Sequence, residues 1–157
     1  MPTLEISDSK DGVLSLDLAD ILGVLEPFAR NLEWYVAELA PSVLLGAADP
    51  QPAVKSSVLE LLNQIKMSSA PVKLSWERLS ELSQNIVQTE MGLLFAIEPK
   101  REIPSQPFDL NSSRFEIVVQ GVDTSFWAVT TRKSEIIDQL KKRFKNIQIV
   151  ASTQTYW

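Results

Sequence analysis

The stretch from Phe115 to Val150 constrains the fold more than any other part of the chain. Phe115, Ile117 and Val119 recur at every second position and predict one face of a strand. Gly121-Val-Asp-Thr-Ser125 follows as a turn, and Phe126-Trp-Ala-Val-Thr130 as the returning strand, with Trp127 in the sheet core. Ser134 to Lys145 has helical spacing, with Ile137, Leu140 and Phe144 inward, and Ile147, Ile149 and Ala151 predict a final strand. Such a β-β-α-β unit needs a sheet with a covering layer of helices.

The rest of the chain supplies candidates for that layer. Thr3 to Ser7 alternates as a strand, and Asp8-Ser-Lys-Asp-Gly12 is a turn. Leu14, Leu16 and Leu18 alternate as the return of a hairpin, in competition with a helix capped by Ser15 or Asp17. The apolar series Leu18, Ile21, Leu25, Phe28, Leu32, Tyr35, Leu39 has the 3–4 spacing of an amphipathic helix. Pro27 interrupts it, so two abutting helices are expected over about 17–26 and 27–40. Pro41 to Pro52, with three prolines, Gly46 and Asp49, reads as a connecting loop. Val54, Val58, Leu61, Leu62 and Ile65 define another helix, ending before Ser68-Ser-Ala-Pro71. Ser75 caps a further one with Trp76, Leu79, Leu82 and Ile86 on one face. Met91 to Ile97 is nearly all apolar, which predicts a strand buried on both sides, and Glu98 to Arg114 is a long polar connection.

The expectation is therefore an α+β fold: N-terminal helices, then β-β-α-β, with a mostly antiparallel sheet packed against helices. At 157 residues one domain is expected, with a helical part at about 15–88, a sheet-rich part at about 89–151 and a tail at 152–157. A chain of this size buries about 70% of its unfolded surface and needs no staples.

Composition excludes many activities. With no His and no Cys there is no Ser-His-Asp triad, Cys nucleophile, zinc finger or disulfide framework. Five scattered glycines leave no phosphate-cradling loop, and no cofactor or metal is implied. Asp8 and Asp11 beside Gly12 lack calcium-loop spacing, because the acids are three apart and the glycine comes fifth. Ser7-Asp-Ser-Lys10 matches Ser-x-x-Lys but falls at a strand end, without a partner motif. No apolar run reaches the 18 or so residues of a membrane span. Met1-Pro-Thr-Leu-Glu-Ile6 lacks the marks of a secretory leader, so the cytoplasm is the expected location.

The net charge of −5 argues against nucleic acid as the partner, and its distribution is uneven. Residues 1–60 hold ten acids and three bases, whereas residues 131–157 hold two acids and six bases. The basic end, Lys141, Lys142, Arg143 and Lys145, follows Glu135 and Asp138 in one helix, as the helix dipole favours. The acidic end has no such local explanation. Trp34 lies off the apolar stripe of its expected helix, among Glu26, Arg30, Glu33 and Glu38. An exposed Trp ringed by acids is an anchor for a basic protein; the alternative is that the helix also packs on a second element there, or that Pro27 shifts its phase. The composition therefore predicts a non-catalytic protein-binding module of inhibitor, immunity or adaptor type, monomeric or homodimeric, using an acidic helical face. A small-molecule-binding domain or a small carboxylate- or lysine-based enzyme is the alternative. Tyr156 and Trp157 either dock onto the body or form an interaction tail.

Overall fold

A computed structural model describes residues 1–44 and 56–151 of the chain. Its centre is a sheet of seven strands in the order β5-β4-β6-β7-β8-β1-β9, every neighbouring pair antiparallel. In chain order these are β1 (Thr3–Ile6), β4 (Glu33–Leu44), β5 (Val72–Leu74), β6 (Ile86–Ile97), β7 (Ile117–Val122), β8 (Phe126–Thr131) and β9 (Ile147–Val150). The small hairpin of β2 (Ser9–Lys10) and β3 (Val13–Leu14) stands apart. It turns through Asp11 and Gly12 at φ 55° and 78°, a left-handed region where glycine costs little. The helices are α1 (Leu18–Ala29), α2 (Ser56–Met67), α3 (Trp76–Gln84) and α4 (Ser134–Arg143).

The fold is thus α+β with an antiparallel sheet, but helices do not come first. A strand opens the chain, and the stretch read as helical, about 15–88, contributes β4, β5 and the start of β6 to the common sheet. The expected helix over 27–40 is replaced by the last turn of α1, a short turn and β4. Pro27 does not end α1 at Glu26. It falls in the final turn, and the Arg30 amide still closes onto the Glu26 carbonyl at 3.2 Å. Val13–Leu14 pairs back on Ser9–Lys10, and the helix begins at Leu18 with Asp17 before it, so both competing readings of residues 13–18 hold in part. Ser75 caps α3 by accepting from the Arg78 amide at 3.2 Å, as its position predicts. Residues 41–44 of the loop expected over 41–52 belong to β4 instead, and residues 45–52 lie outside the described residues, as do Val54 and the tail with Tyr156 and Trp157.

Two apolar clusters sandwich the sheet. On the helical side Leu4, Ile6, Trp34, Leu94, Ile117, Trp127 and Val129 pack against Ile21, Leu25, Leu61, Leu79 and Leu140 of the helices. On the other side Tyr35, Leu93, Phe95, Ile97 and Val118 are covered by Ile103, Phe108, Leu110 and Phe115 from the long connection. Phe115 therefore belongs to that covering segment, opposite in face to Ile117 and Val119, because it precedes the strand rather than starting it. Phe95 is the hub, with Phe115 edge-on at 4.8 Å, Phe108 at 5.3 Å and Tyr35 stacked at 5.5 Å. The Arg132 guanidinium pins the segment's end, donating to the carbonyls of Ser113 at 2.9 Å and Phe115 at 3.3 Å. The run Met91 to Ile97 thus feeds both clusters alternately, and Leu93 to Ile97 are buried, as the sequence predicts.

Because β1 is inserted between β8 and β9, the acidic start of the chain lies beside its basic end. Asp8 accepts from the Lys145 amide at 3.0 Å and the Asn146 amide at 2.6 Å, capping the turn into β9. Asp20 accepts from the Asp17 amide at 2.8 Å and faces Arg143 at 3.7 Å. Asp17 in turn accepts from the Gln88 amide at 2.9 Å. These acids are structural.

Candidate functional site

The five residues expected to form an acidic helical face are not one face. Glu26 lies in the last turn of α1 and pairs with Arg30 at 3.6 Å, and Arg30 reaches across to Glu77 of α3 at 3.7 Å. Glu33 starts β4, pairs with Lys73 of β5 at 3.2 Å and meets the Tyr35 hydroxyl at 3.4 Å. Trp34 is fully buried, and its indole N–H donates to the Ala29 carbonyl at 3.0 Å while its ring packs on Trp76 at 5.9 Å. It is a core residue, so it anchors no partner. Glu38 sits farther along β4, away from the other four. The helical periodicity that grouped them is absent, and with it the common face.

One of the five marks a different feature. β5 pairs with Trp34, Tyr35 and Val36 only, while β6 pairs with β4 from Glu33 to Leu44. Beyond Val36 the outer edge of β4 therefore meets no strand among the described residues. Pro41 closes this open stretch at Ala40, since a residue without an N–H is tolerated on an edge strand. A bulge between Val36 and Glu38 bends the strand as it leaves β5.

Clefts flank this edge on both faces of the sheet. On the helical face a groove of about 640 Å³ runs between Ala37–Pro41 and α2, lined there by Leu59, Leu62, Asn63 and Lys66. The helix explains that wall. Val58, Leu61 and Ile65 face the core, and the row Leu59, Leu62, Asn63, Lys66 lies beside it at i, i+3, i+4, i+7. Leu59 remains 46% exposed. On the opposite face a cleft of about 490 Å³ is lined by Ala37, Glu38, Leu93, Gln106, Pro107 and Phe108. Among the described residues neither Glu38 nor Lys66 forms an ion pair.

A third open cleft, about 630 Å³, lies between α1 and α4 around Gly23, Pro27, Phe28, Lys142 and Arg143. Its main cation is engaged internally, since Arg143 faces Asp20 and also lies over the Phe144 ring at 5.1 Å. The fold moves the titration of Tyr35. Burial, reinforced by the Glu33 carboxylate, raises its phenol above 10.0, and Lys73 acts weakly against this. Among the described residues no three Asp or Glu side chains gather as a metal site would require, and no helix is long and apolar enough to cross a membrane.

Sequence reasoning named Glu38 but missed the edge beside it. Leu59 carries no signal in the sequence, and Leu62 figures there only in the apolar series that defines the helix. Comparison with protein-family models, curated proteins and solved structures finds no match to this chain.

Proposed function

We propose that the chain is a cytoplasmic, non-catalytic protein-binding module of inhibitor, immunity or adaptor type, whose binding face is the edge of β4 and the α2 wall. One observation carries the reading: among the described residues the outer edge of Ala37–Ala40 meets no strand and lies between two clefts, with Leu59 exposed in one and Glu38, which lines both, in no ion pair. Exposed backbone donors and acceptors beside an apolar wall are what a protein partner covers. Glu38 keeps the preference for a basic partner; Glu26 and Glu33 are answered by Arg30 and Lys73.

The test is quantitative co-purification from the native cell with three baits: wild type, Leu59→Glu with Leu62→Glu, and Glu26→Lys with Glu77→Lys. A specific partner lost only with the Leu59 and Leu62 variant supports the reading. A partner lost only with the Glu26 and Glu77 variant returns the site to the helical acids. Recovery of no specific partner by the wild type sinks the proposal. A second reading has one observation in its favour, since the 640 Å³ groove has the size of a small-molecule pocket. Native mass spectrometry of the purified protein decides it, because a retained apolar compound displaced by Leu59→Glu would indicate a ligand-binding domain.

A further inference from the structure

We propose that the partner binds by adding an extended segment to β4 as an extra strand. Residues Ala37–Ala40 would supply the backbone ladder, and the segment would alternate apolar and basic side chains. This rests on the protein-binding reading above and specifies its mode. β5 already occupies the outer edge of β4 at Trp34–Val36, so an added strand continues a line that the fold has begun. Strand addition takes its affinity from main-chain hydrogen bonds and its specificity from the pockets under alternate side chains.

Both pockets are in place. Successive side chains of a strand point to opposite faces of the sheet. Every second residue of the added segment therefore enters the groove on the helical face, against Leu39, Leu59, Leu62 and Ile65, and must be apolar. The residues between them enter the cleft of the opposite face. There Leu93, Pro107 and Phe108 accept an aliphatic stem and Glu38 accepts its charge, which describes a lysine or arginine. Glu38 lines the first groove as well, but there Lys66 stands with it, whereas no cation lines the second cleft, so a basic side chain is favoured in the second. Pro41 limits the ladder at one end and β5 at the other, which makes the recognised core short.

The experiment uses synthetic octapeptides, acetylated and amidated, with apolar residues at alternate positions and Lys, Ser or Glu between them. The full chain is titrated by fluorescence anisotropy and followed by amide hydrogen exchange. The lysine series should bind at least tenfold tighter than the glutamate series, and Glu38→Lys should invert that order. Alternate amides between Ala37 and Ala40 should gain protection. N-methylation of the peptide at ladder-facing amides should abolish binding, while N-methylation at the intervening amides should leave it largely intact. Binding indifferent to N-methylation, or without protection at Ala37–Ala40, overturns strand addition. Protection there without peptide, together with a doubled mass in sedimentation, overturns it in favour of a second copy of this chain. If none of the peptides binds but the cellular partner is still lost on Leu59→Glu with Leu62→Glu, the strand mode fails and the protein-binding reading stands. If the cellular partner is absent too, both fail.

Discussion

Replacing Trp34 by alanine separates two incompatible accounts of the acidic N-terminal region. As a surface anchor, Trp34 would contribute to partner binding and almost nothing to stability, since surface substitutions fall within about 0.5 kcal/mol. In the structure it is fully buried, packs on Trp76 at 5.9 Å and donates to the Ala29 carbonyl at 3.0 Å. Truncating a buried Trp costs about 3–5 kcal/mol through lost transfer energy and the cavity left behind. For a chain of this size each kcal/mol moves the melting temperature by about 2–4 °C, so Trp34→Ala should melt about 6–20 °C lower. Trp34→Phe isolates the hydrogen bond. The Ala29 carbonyl also accepts from the Leu32 amide at 3.1 Å, so removing the indole leaves it with a partner. The loss is then one neutral hydrogen bond, about 0.5–1.5 kcal/mol, plus a modest packing defect. Urea unfolding followed by far-ultraviolet circular dichroism measures both. A Trp34→Ala protein within about 1 kcal/mol of wild type would refute the buried placement, and with it the register of β4 on which the open edge depends.

Two further predictions test the charge arrangement. Asp8→Ala leaves the Lys145 and Asn146 amides without their carboxylate, and should cost about 1.5 kcal/mol, the low end for hydrogen bonds to a charged group because Asp8 is partly exposed; Arg143→Gln, which breaks an exposed pair at 3.7 Å and the exposed contact over the Phe144 ring at 5.1 Å, should cost less than that in the same urea experiment. Tyr35 titrates above its ordinary 10.0 because burial and Glu33 disfavour the phenolate. Folding therefore holds the neutral phenol: the stability it contributes is complete below pH 10.0 and is lost as pH rises through the folded value. Phenolate absorbance should show Glu33→Gln ionising at lower pH than wild type and Lys73→Met at higher pH, and the opposite order would refute the assignment.

What the sequence discloses follows from how local each pattern is. α3, β7, β8 and α4 are legible because their caps, turns and apolar spacing lie within a dozen residues or so of each other. β4 is not, and the bulge is the reason. Trp34, Val36 and Leu39 all face the helical cluster, but the extra residue between Val36 and Glu38 makes their spacing two and then three. With the period of two lost, Tyr35 and Leu39, which face opposite sides of the sheet, fall in line with Leu25 and Phe28 of α1 in a series that mimics a helix. β5 is too short, at three residues, to show a period. The cover of the second face is illegible for another reason: Ile103, Phe108 and Leu110 follow no period, because they belong to irregular chain. The candidate site inherits these gaps. Glu38 was named within the wrong element, and an open edge is a property of which strands fail to pair, which no local pattern records.

Charge shows the same dependence on topology. Ten acids against three bases in residues 1–60 look like an unanswered surface when read along the chain. Inserting β1 between β8 and β9 brings those residues to the basic end, where Asp8 caps residues 145–146 and Asp20 meets Arg143. Glu26 and Glu33 are answered by Arg30 and Lys73 within their own neighbourhoods. Screening over about 8–10 Å at physiological salt makes such local answers matter more than the total. A −5 chain therefore attracts a basic partner only weakly through its net charge. A single carboxylate in a cleft beside unpaired backbone is a stronger determinant of position, because there a partner's cation is fixed in register by the strand that carries it. In the proposed binding mode the preference for a basic partner therefore rests on Glu38 at the edge of β4 and not on a helical face.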